Sequence, residues 1–269
     1  MDHLHHGGMA VEAERQLTRY QALIAKVCQE LGLPKERFQV VHTATDTEAA
    51  TKAVAMVRSG EADLLMKGLL STDKYMRAIL NKEQGLLDPG AILSHVTVME
   101  HPGHAKLIIA GDVAVIPEPE FKEKLAILNY LVKTAKALGV ETPKVAVLAA
   151  SEQVLPKMSS SSDAAMLSKM ADRGQIKGAL VDGPLALDGA LDAESAQIKG
   201  LGGPVAGDAD CLLFPNIEAG NVFYKAGTKL GGAEIAAVVA GARVPCVLSS
   251  RGDSAKTKLS SIALAALLA

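Results

Sequence analysis

The 269-residue sequence has no tryptophan and only four tyrosines and four phenylalanines. Any core must therefore be built from Ala, Val, Leu, Ile and Met. The same scarcity removes the stacking platforms that single-stranded nucleic-acid binders use. Net charge is also scarce. Lys and Arg number 28 against 30 Asp and Glu, a formal net charge of −2. A nucleic-acid binder needs a basic face to displace counterions, so a general one is excluded. A small anion held by a few local cations is not. Three cysteines, Cys28, Cys211 and Cys246, lie far apart. They form neither a disulfide framework nor paired metal-site spacing, and a reducing, cytoplasmic setting is the simplest reading. No apolar run approaches the about 20 residues that span a bilayer. No cationic stretch leads into an apolar one near the N-terminus, so no secretory signal is visible. The sequence thus points to a cytoplasmic protein with neither nucleic acid nor membrane as partner.

What is present is ordinary globular composition, 49% hydrophobic and 22% charged. Disorder is excluded, and the length suggests roughly two domains at about 100–200 residues each. His3, His5 and His6, with Gly7, Gly8 and Met9, read as a tag-like segment over residues 1–8 ahead of a native start.

Beyond it, apolar spacing through Leu17, Tyr20, Ile24, Val27, Cys28 and Leu31 reads as a helix stopped by Gly32 and Pro34. Phe38 to His42 is a short β-branched run. Asp46 to Arg58 reads as a helix with Asp46 available as its cap. Ala62 to Met66 reads as a buried strand, and Ser71 opens the next helix. Ser94 to Met99 and Lys106 to Ala110 read as two strands joined at Pro102-Gly103. A long helix follows from Phe121 to Leu138, then a strand from Lys144 to Leu148. In the second half, strands at Ala179 to Val181, Cys211 to Phe214 and Val244 to Leu248 alternate with helices around Met166, Ala219 to Leu230 and Lys258 to Leu268. Such alternation implies βαβ units, mostly parallel sheets and helices on both faces. A Gly and a Pro end the long helix at Gly139 to Pro143, which divides the chain into a first α/β domain over 9–140 and a second over 141–269. The C-terminal helix is free to pack back on the first.

Ligands of open α/β sheets bind beyond the carboxyl ends of strands, so the segments after each strand carry the candidates. Lys67 and Gly68 follow the strand ending at Met66. Ser71 and Thr72 supply hydroxyls and helix-start N–H groups, a natural anion site, with Arg77 further along the helix. The alternative is an ordinary capped helix with solvated cations. Lys157 precedes four serines, Ser159 to Ser162, which suit either a phosphate or a capping loop. Asp182-Gly183-Pro184 follows Val181, and Asn221 lies beyond Pro215-Asn216. Ser250 and Arg251 are the most suggestive pair, because a strand end would hold a hydroxyl beside a guanidinium able to fork onto phosphate oxygens. No Walker loop or dinucleotide fingerprint follows a strand. His101 and His104 lack metal-ligand partners, and Cys211 and Cys246 read as core.

In order along the chain, these segments resemble the phosphate acetyl/butyryltransferase family. Asp182-Gly183-Pro184-Leu185-Ala186, Pro204 to Asp210 leading into Leu212-Leu213-Phe214-Pro215, Glu218-Ala219-Gly220-Asn221 and Ser250-Arg251 carry the likeness. Ala62-Asp63, Met66-Lys67-Gly68, Asp112 to Val115, Lys157-Met158 and Lys169 to Gln175 complete it. The butyryl-type branch is nearer than the acetyl-type. The resemblance implies two α/β/α domains with an inter-domain cleft, like the isocitrate and isopropylmalate dehydrogenases, usually in a homodimer. It implies exchange of an acyl group between CoA and inorganic phosphate, the CoA thiolate attacking an acyl phosphate in a ternary complex. CoA is then a substrate, and no metal or resident cofactor is expected. By the same resemblance Ser250 orients the thiol or carbonyl oxygen and Arg251 holds phosphate. Lys67, Gly68, Ser71, Thr72, Arg77, Asp112, Lys157, Asp182 and Asn221 fall among substrate-binding positions. Lys106 stands where the acetyl branch has an arginine, keeping charge but losing the bidentate fork. The acetyl branch has an aspartate in its last helix, and counting from Ser250 puts Thr257 there. Asp253 is nearer Ser250 and is also placed to cap that helix. A second reading follows from this departure: a non-catalytic protein that binds CoA or an acyl phosphate.

Overall fold

The computed structural model describes residues 21–248 and 253–269. Met1–Ala53 and Val54–Ala269 are separate compact units. The tag-like segment, Leu17 and Tyr20 lie outside the described residues. In the first unit, residues 21–30 are helical (α1), and Lys35–Arg37 make one 3-10 turn before α2 (Asp46–Arg58) begins. The helix at Asp46 is capped one residue earlier than expected. Thr45 Oγ1 accepts from Glu48 N at 3.2 Å, and Glu48 Oε2 accepts from Ala44 N at 2.8 Å. Asp46 instead occupies the first turn, where a carboxylate faces the positive helix end. No strand forms over 38–42.

The described part of the second unit is an α/β structure on one eight-stranded sheet. The strands are β1 (Leu65–Met66), β2 (Ser94–Glu100), β3 (Ile108–Gly111), β4 (Lys144–Leu148), β5 (Leu180–Leu185), β6 (Cys211–Leu213), β7 (Glu234–Ala240) and β8 (Cys246–Val247), in spatial order β1-β8-β7-β2-β3-β6-β4-β5. β1–β8, β3–β6, β6–β4 and β4–β5 pair parallel. β8–β7, β7–β2 and β2–β3 pair antiparallel. The sheet is mixed and mostly parallel, as the alternating pattern implies. Its antiparallel centre comes from the expected hairpin at Pro102-Gly103 and from β7, an unexpected strand of small apolar residues. Consequently β1, β2 and β8 run one way and β3 to β7 the other. Strands before and after Gly139 interleave: β7 lies against β2, and β6 joins β3 to β4.

Several bounds differ from the sequence reading. β1 is only Leu65–Met66 rather than Ala62 to Met66, and β5 extends through Asp182-Gly183-Pro184, which were expected beyond a strand end. There a Cβ on Gly183 would lie 2.7 Å from Val147 O and 3.1 Å from Ala164 Cβ, so the backbone passes where only glycine fits.

The helices of this unit are α3 (Thr72–Ile79), α4 (Phe121–Ala137), α5 (Ser159–Asp172), α6 (Leu187–Leu191), α7 (Ala193–Ile198), α8 (Ile217–Lys229) and α9 (Ala255–Leu268). α4 starts with Glu120 N donating to Glu123 Oε2 at 2.7 Å, half of a capping box. It ends before Gly139, whose φ of 92° suits only glycine. Strand alternation separates two cores. On one face Val96, Val98, Val145, Val147 and Val238 pack with Ile127, Leu128 and Leu131 of α4, Leu167 of α5 and Leu264 of α9. On the other, Met99, Ala110, Ala146, Leu212 and Ile235 pack with Ala190 of α6 and Phe223 of α8. Cys211 and Cys246 are buried, as expected of core cysteines.

Candidate functional site

The register of β1 on β8 builds the first part of the site. Leu65 faces Cys246, Met66 faces Val247, and Lys67 N donates to Val247 O at 3.4 Å. The turn after β1 therefore leaves the sheet beside the chain that leaves β8. α3 is pinned to both strands, because the buried Tyr75 hydroxyl lies 3.0 Å from Leu65 O and 3.2 Å from Val247 O. Burial pushes the Tyr75 pKa up, so the hydroxyl stays a donor. Ser71 is the N-cap of α3 and accepts from Lys74 N at 3.4 Å. Thr72 is exposed in the first turn, and a Cβ on Gly68 would meet nothing within 4 Å. Lys67 is buried, with Nζ donating to Gly68 O at 3.3 Å and Leu70 O at 3.1 Å, so it holds the shape of this turn. Arg77 projects from α3, 77% exposed, and pairs with Asp73 at 3.0 Å. A pair so exposed is worth little, and its guanidinium remains recruitable by a stronger anion. Ser250 and Arg251, the expected catalytic pair, lie outside the described residues.

The described residues resume at Asp253. Ser254, not Asp253, caps α9: its Oγ accepts from Thr257 N at 3.0 Å and lies 3.1 Å from Thr257 Oγ1. α9 thus begins at Ala255 rather than Lys258. Thr257, at the position counted from Ser250, is buried within this cap.

A second polar group lies on the sheet face that carries α8. β2 alternates Val96 and Val98 on one face with His95, Thr97 and Met99 on the other. His95 and Thr97 are both buried, with His95 Nδ1 3.3 Å from Thr97 Oγ1. Burial lowers the His95 pKa, against the Asp112 and Asp253 carboxylates, which raise it. The net result favours a neutral imidazole. Tyr224 of α8 is pushed up to about 12 by burial and then by Asp253. Sequence reading missed His95. Its signal was there: two polar residues on one face of a run that otherwise reads as a buried strand.

Asp112 follows β3 and accepts five hydrogen bonds. Oδ1 takes Ala114 N at 2.7 Å and Val115 N at 2.9 Å; Oδ2 takes Ser94 Oγ at 2.9 Å and His95 N and Ile116 N at 3.2 Å each. A buried carboxylate so engaged shapes the end of the hairpin. Asn221 of α8 serves the same corner, its Nδ2 donating to Val113 O at 3.1 Å. Lys106 directs its ammonium at Asp208 O and Oδ1, both at 2.7 Å, and at Asp210 Oδ1 at 2.8 Å. Burial works against that charge, but the bonds to Asp208 and Asp210 outweigh it and raise the pKa. With three donors so occupied, Lys106 ties the β3 entrance to the β6 entrance.

Asp182 lies inside β5, with Oδ1 accepting from Gly183 N at 2.8 Å. Lys157 is exposed. Among its serines, Ser161 is buried and bonds Gln153 O and Leu155 N, each at 2.8 Å, so it closes its own loop. Lys67, Gly68, Ser71, Thr72 and Arg77 therefore gather at one sheet end. Asp112, Asn221, Asp182 and Lys157 follow strands of the opposite direction or the loops beyond them. Among the described residues no group of three or more His, Cys, Asp or Glu side chains is placed to hold a metal ion, and no helix is long and apolar enough to cross a membrane.

Comparison with known proteins identifies the family. Residues 2–266 match the family described as phosphate acetyl/butaryl transferase. The chain is 50% identical over 246 residues to phosphate butyryltransferase of Clostridium acetobutylicum, covering 91% of this chain and 81% of that protein. It is 43% identical over 268 residues to phosphate acetyltransferase of Rhizobium meliloti, covering 97% and 84%. The crystal structure of a branched-chain phosphotransacylase from Enterococcus faecalis V583 is similar at a TM-score of 0.78 and 35% identity, covering 86% and 82%.

Proposed function

The chain belongs to the phosphate acetyl/butyryl transferase family, and on that premise we propose that it exchanges an acyl group between CoA and inorganic phosphate. The observation that carries this reading is 50% identity with a phosphate butyryltransferase over 91% of the chain. The geometry supports it at the β1 and β8 ends. The N-terminal amides of α3, the Ser71 and Thr72 hydroxyls and the open backbone at Gly68 suit phosphate oxygens. Arg77 stands one turn away and Lys67 stiffens the turn. In the sequence Ser250 and Arg251 follow β8, five and four residues short of the first residue of α9.

In the direction of acyl-CoA synthesis, the CoA thiolate attacks the acyl carbon and the C–O bond to phosphate breaks. Arg251, Arg77 and the α3 amides take the charge of the leaving phosphate, and Ser250 orients the thiol or the carbonyl oxygen. Fixed donors aimed at developing charge are the largest contributors to such reactions. The protein is read as a cytoplasmic homodimer in which CoA, acyl phosphate and phosphate are substrates and no resident cofactor is used. The test is thioester formation from CoA with acetyl, propionyl and butyryl phosphate, followed by absorbance. Turnover is expected, with butyryl phosphate ranked above acetyl phosphate. A folded protein that turns over none of the three would overturn the reading.

A further inference from the structure

The turn between β2 and β3, His101-Pro102-Gly103-His104, has no part in the acyl-transfer reading. Both of its histidines line a cavity of about 470 Å³ beside the C-terminal end of α8. The other side chains of the wall are apolar, among them Met99 of β2, Ile108 of β3, Leu191 of α6, Phe223 of α8 and Leu230 just past it. None of Lys67, Gly68, Ser71, Thr72 and Arg77 lines this cavity. We propose that it is a second ligand site, which takes a short aliphatic carboxylate with its chain on the apolar wall and its carboxylate on the two imidazoles.

The turn fixes one ring directly. His104 N donates to His101 O at 3.0 Å, and Gly103 N donates to His101 Nδ1 at 3.0 Å. A ring nitrogen that accepts carries no proton, so the proton of His101 sits on Nε2, which is a donor. Two glycines let α8 and the segment after it approach the hairpin. A Cβ on Gly231 would overlap His101 Nε2, and one on Gly227 would lie 2.9 Å from Met99 Sδ.

The other ring supplies the need for a ligand. Among the described residues, His104 Nε2 is the one buried side-chain nitrogen or oxygen with no hydrogen-bond partner. Native proteins rarely leave such an atom unmatched, and each instance calls for a group that meets it. A buried water makes about three hydrogen bonds, and the side chains of this wall offer two imidazoles and hydrocarbon. A carboxylate has an oxygen for each ring, one accepting from His101 Nε2 and the other from a protonated His104 Nε2. No Lys or Arg lines the cavity, so it lacks the fixed cations that a phosphate group needs. The apolar wall favours a hydrocarbon chain, and the volume lies within the about 300–1,000 Å³ of small-molecule pockets.

The test follows the fluorine NMR signal of trifluorobutyrate added to the full chain, with butyrate, butyramide and inorganic phosphate as competitors. The signal should broaden on binding, recover with butyrate, and stay broad with butyramide or phosphate. His104→Phe keeps a ring of similar shape and removes the orphan nitrogen. It should weaken probe binding at least about tenfold, the worth of a hydrogen bond to a charged group. Its urea midpoint should match or exceed that of wild type, and its turnover with butyryl phosphate should be unchanged. Leu230→Asp sets a like charge at the rim, at a position 88% exposed and so harmless to the fold. It should weaken the probe as well, and it serves alone if His104→Phe does not fold. Four results would each overturn the proposal: no probe binding to wild type, binding unchanged in both variants, equal competition by butyramide or phosphate, or loss of turnover in folded His104→Phe. The first would leave the cavity to water, and the last would assign it to acyl transfer. Probe binding is read without the reaction, so failure of the acyltransferase reading is seen separately from failure of this one.

Discussion

Asp112 and Asp253 both act on His95, yet they occupy opposite kinds of surroundings. Asp112 is buried at the end of β3, and its two oxygens accept five protein donors. Asp253 is half-buried, stands one residue outside a helix whose cap is a serine, and faces an open cavity. The same side chain closes a hairpin corner in one place and lines a cavity at the entry to a helix in the other. Sequence alone separates them otherwise: the family resemblance puts Asp112 among substrate-binding positions and leaves Asp253 as a candidate helix cap.

The largest expected effect tests the structural half. Asp112→Ala removes the acceptor for four backbone N–H groups and the Ser94 hydroxyl, all in or near buried chain. Orphaned buried donors are costly, and the loss should be about 3–5 kcal/mol of stability. Urea unfolding reads it directly. A loss below about 1 kcal/mol, the net worth of a single hydrogen bond, would break the comparison by showing that the network is dispensable. Gly220 belongs to the same corner, because a Cβ there would overlap Asp112 O. Close approach of α8, not turn chemistry, explains that glycine.

The sequence disclosed much of this fold through its periodicities. β4 and the bounds of α2 agree with the apolar pattern residue for residue, and the β2–β3 hairpin is announced by Pro102-Gly103. β7 was not legible. Its Ile235, Ala236, Ala237, Val238 and Val239 have no alternation, because a strand buried on both faces shows none. The direction of strands was not legible either, since periodicity carries no sign. Lys106 and Asp112 lie at the two ends of one short strand, β3. Linear spacing could not say that one serves an ion-pair network and the other a hairpin corner. Of the site, the Ser71 cap and the anion-suited start of α3 were readable from local chemistry. Ser254 taking the cap from Asp253 was not, because both types cap helices well.

His95 sharpens the comparison through pH. Its folded pKa lies below the ordinary value because burial outweighs the two carboxylates. The unfolded chain then binds a proton near pH 6.5 that the fold refuses. Stability from this group is complete above about pH 6.5 and declines as pH falls, by at most about 1.4 kcal/mol per pH unit. Urea midpoints measured on both sides of that value should show the slope, and His95→Asn should flatten it. An unchanged slope would mean that the imidazole titrates as freely in the fold as in the open chain.

The smallest effect belongs to the third polar region, the entrance of β3, β4 and β6. Asp208 is bonded by Lys106 and Lys144, which hold its carboxyl at about 2. Its folded pKa is depressed, so its contribution is present above about pH 4, the ordinary aspartate range, and is lost as pH falls toward about 2. The side chain is 51% exposed, so solvent screens the pair. The expected loss in Asp208→Asn is therefore about 0.2–1 kcal/mol at neutral pH. Added salt should shrink it further. The variant should also show a flatter stability profile across the acid range, while turnover with butyryl phosphate stays at the wild-type rate. A large fall in kcat from Asp208→Asn would move this network from the frame of the molecule into its chemistry. It would also return Lys106, whose ammonium Asp208 shares with Asp210, to the list of phosphate-binding cations.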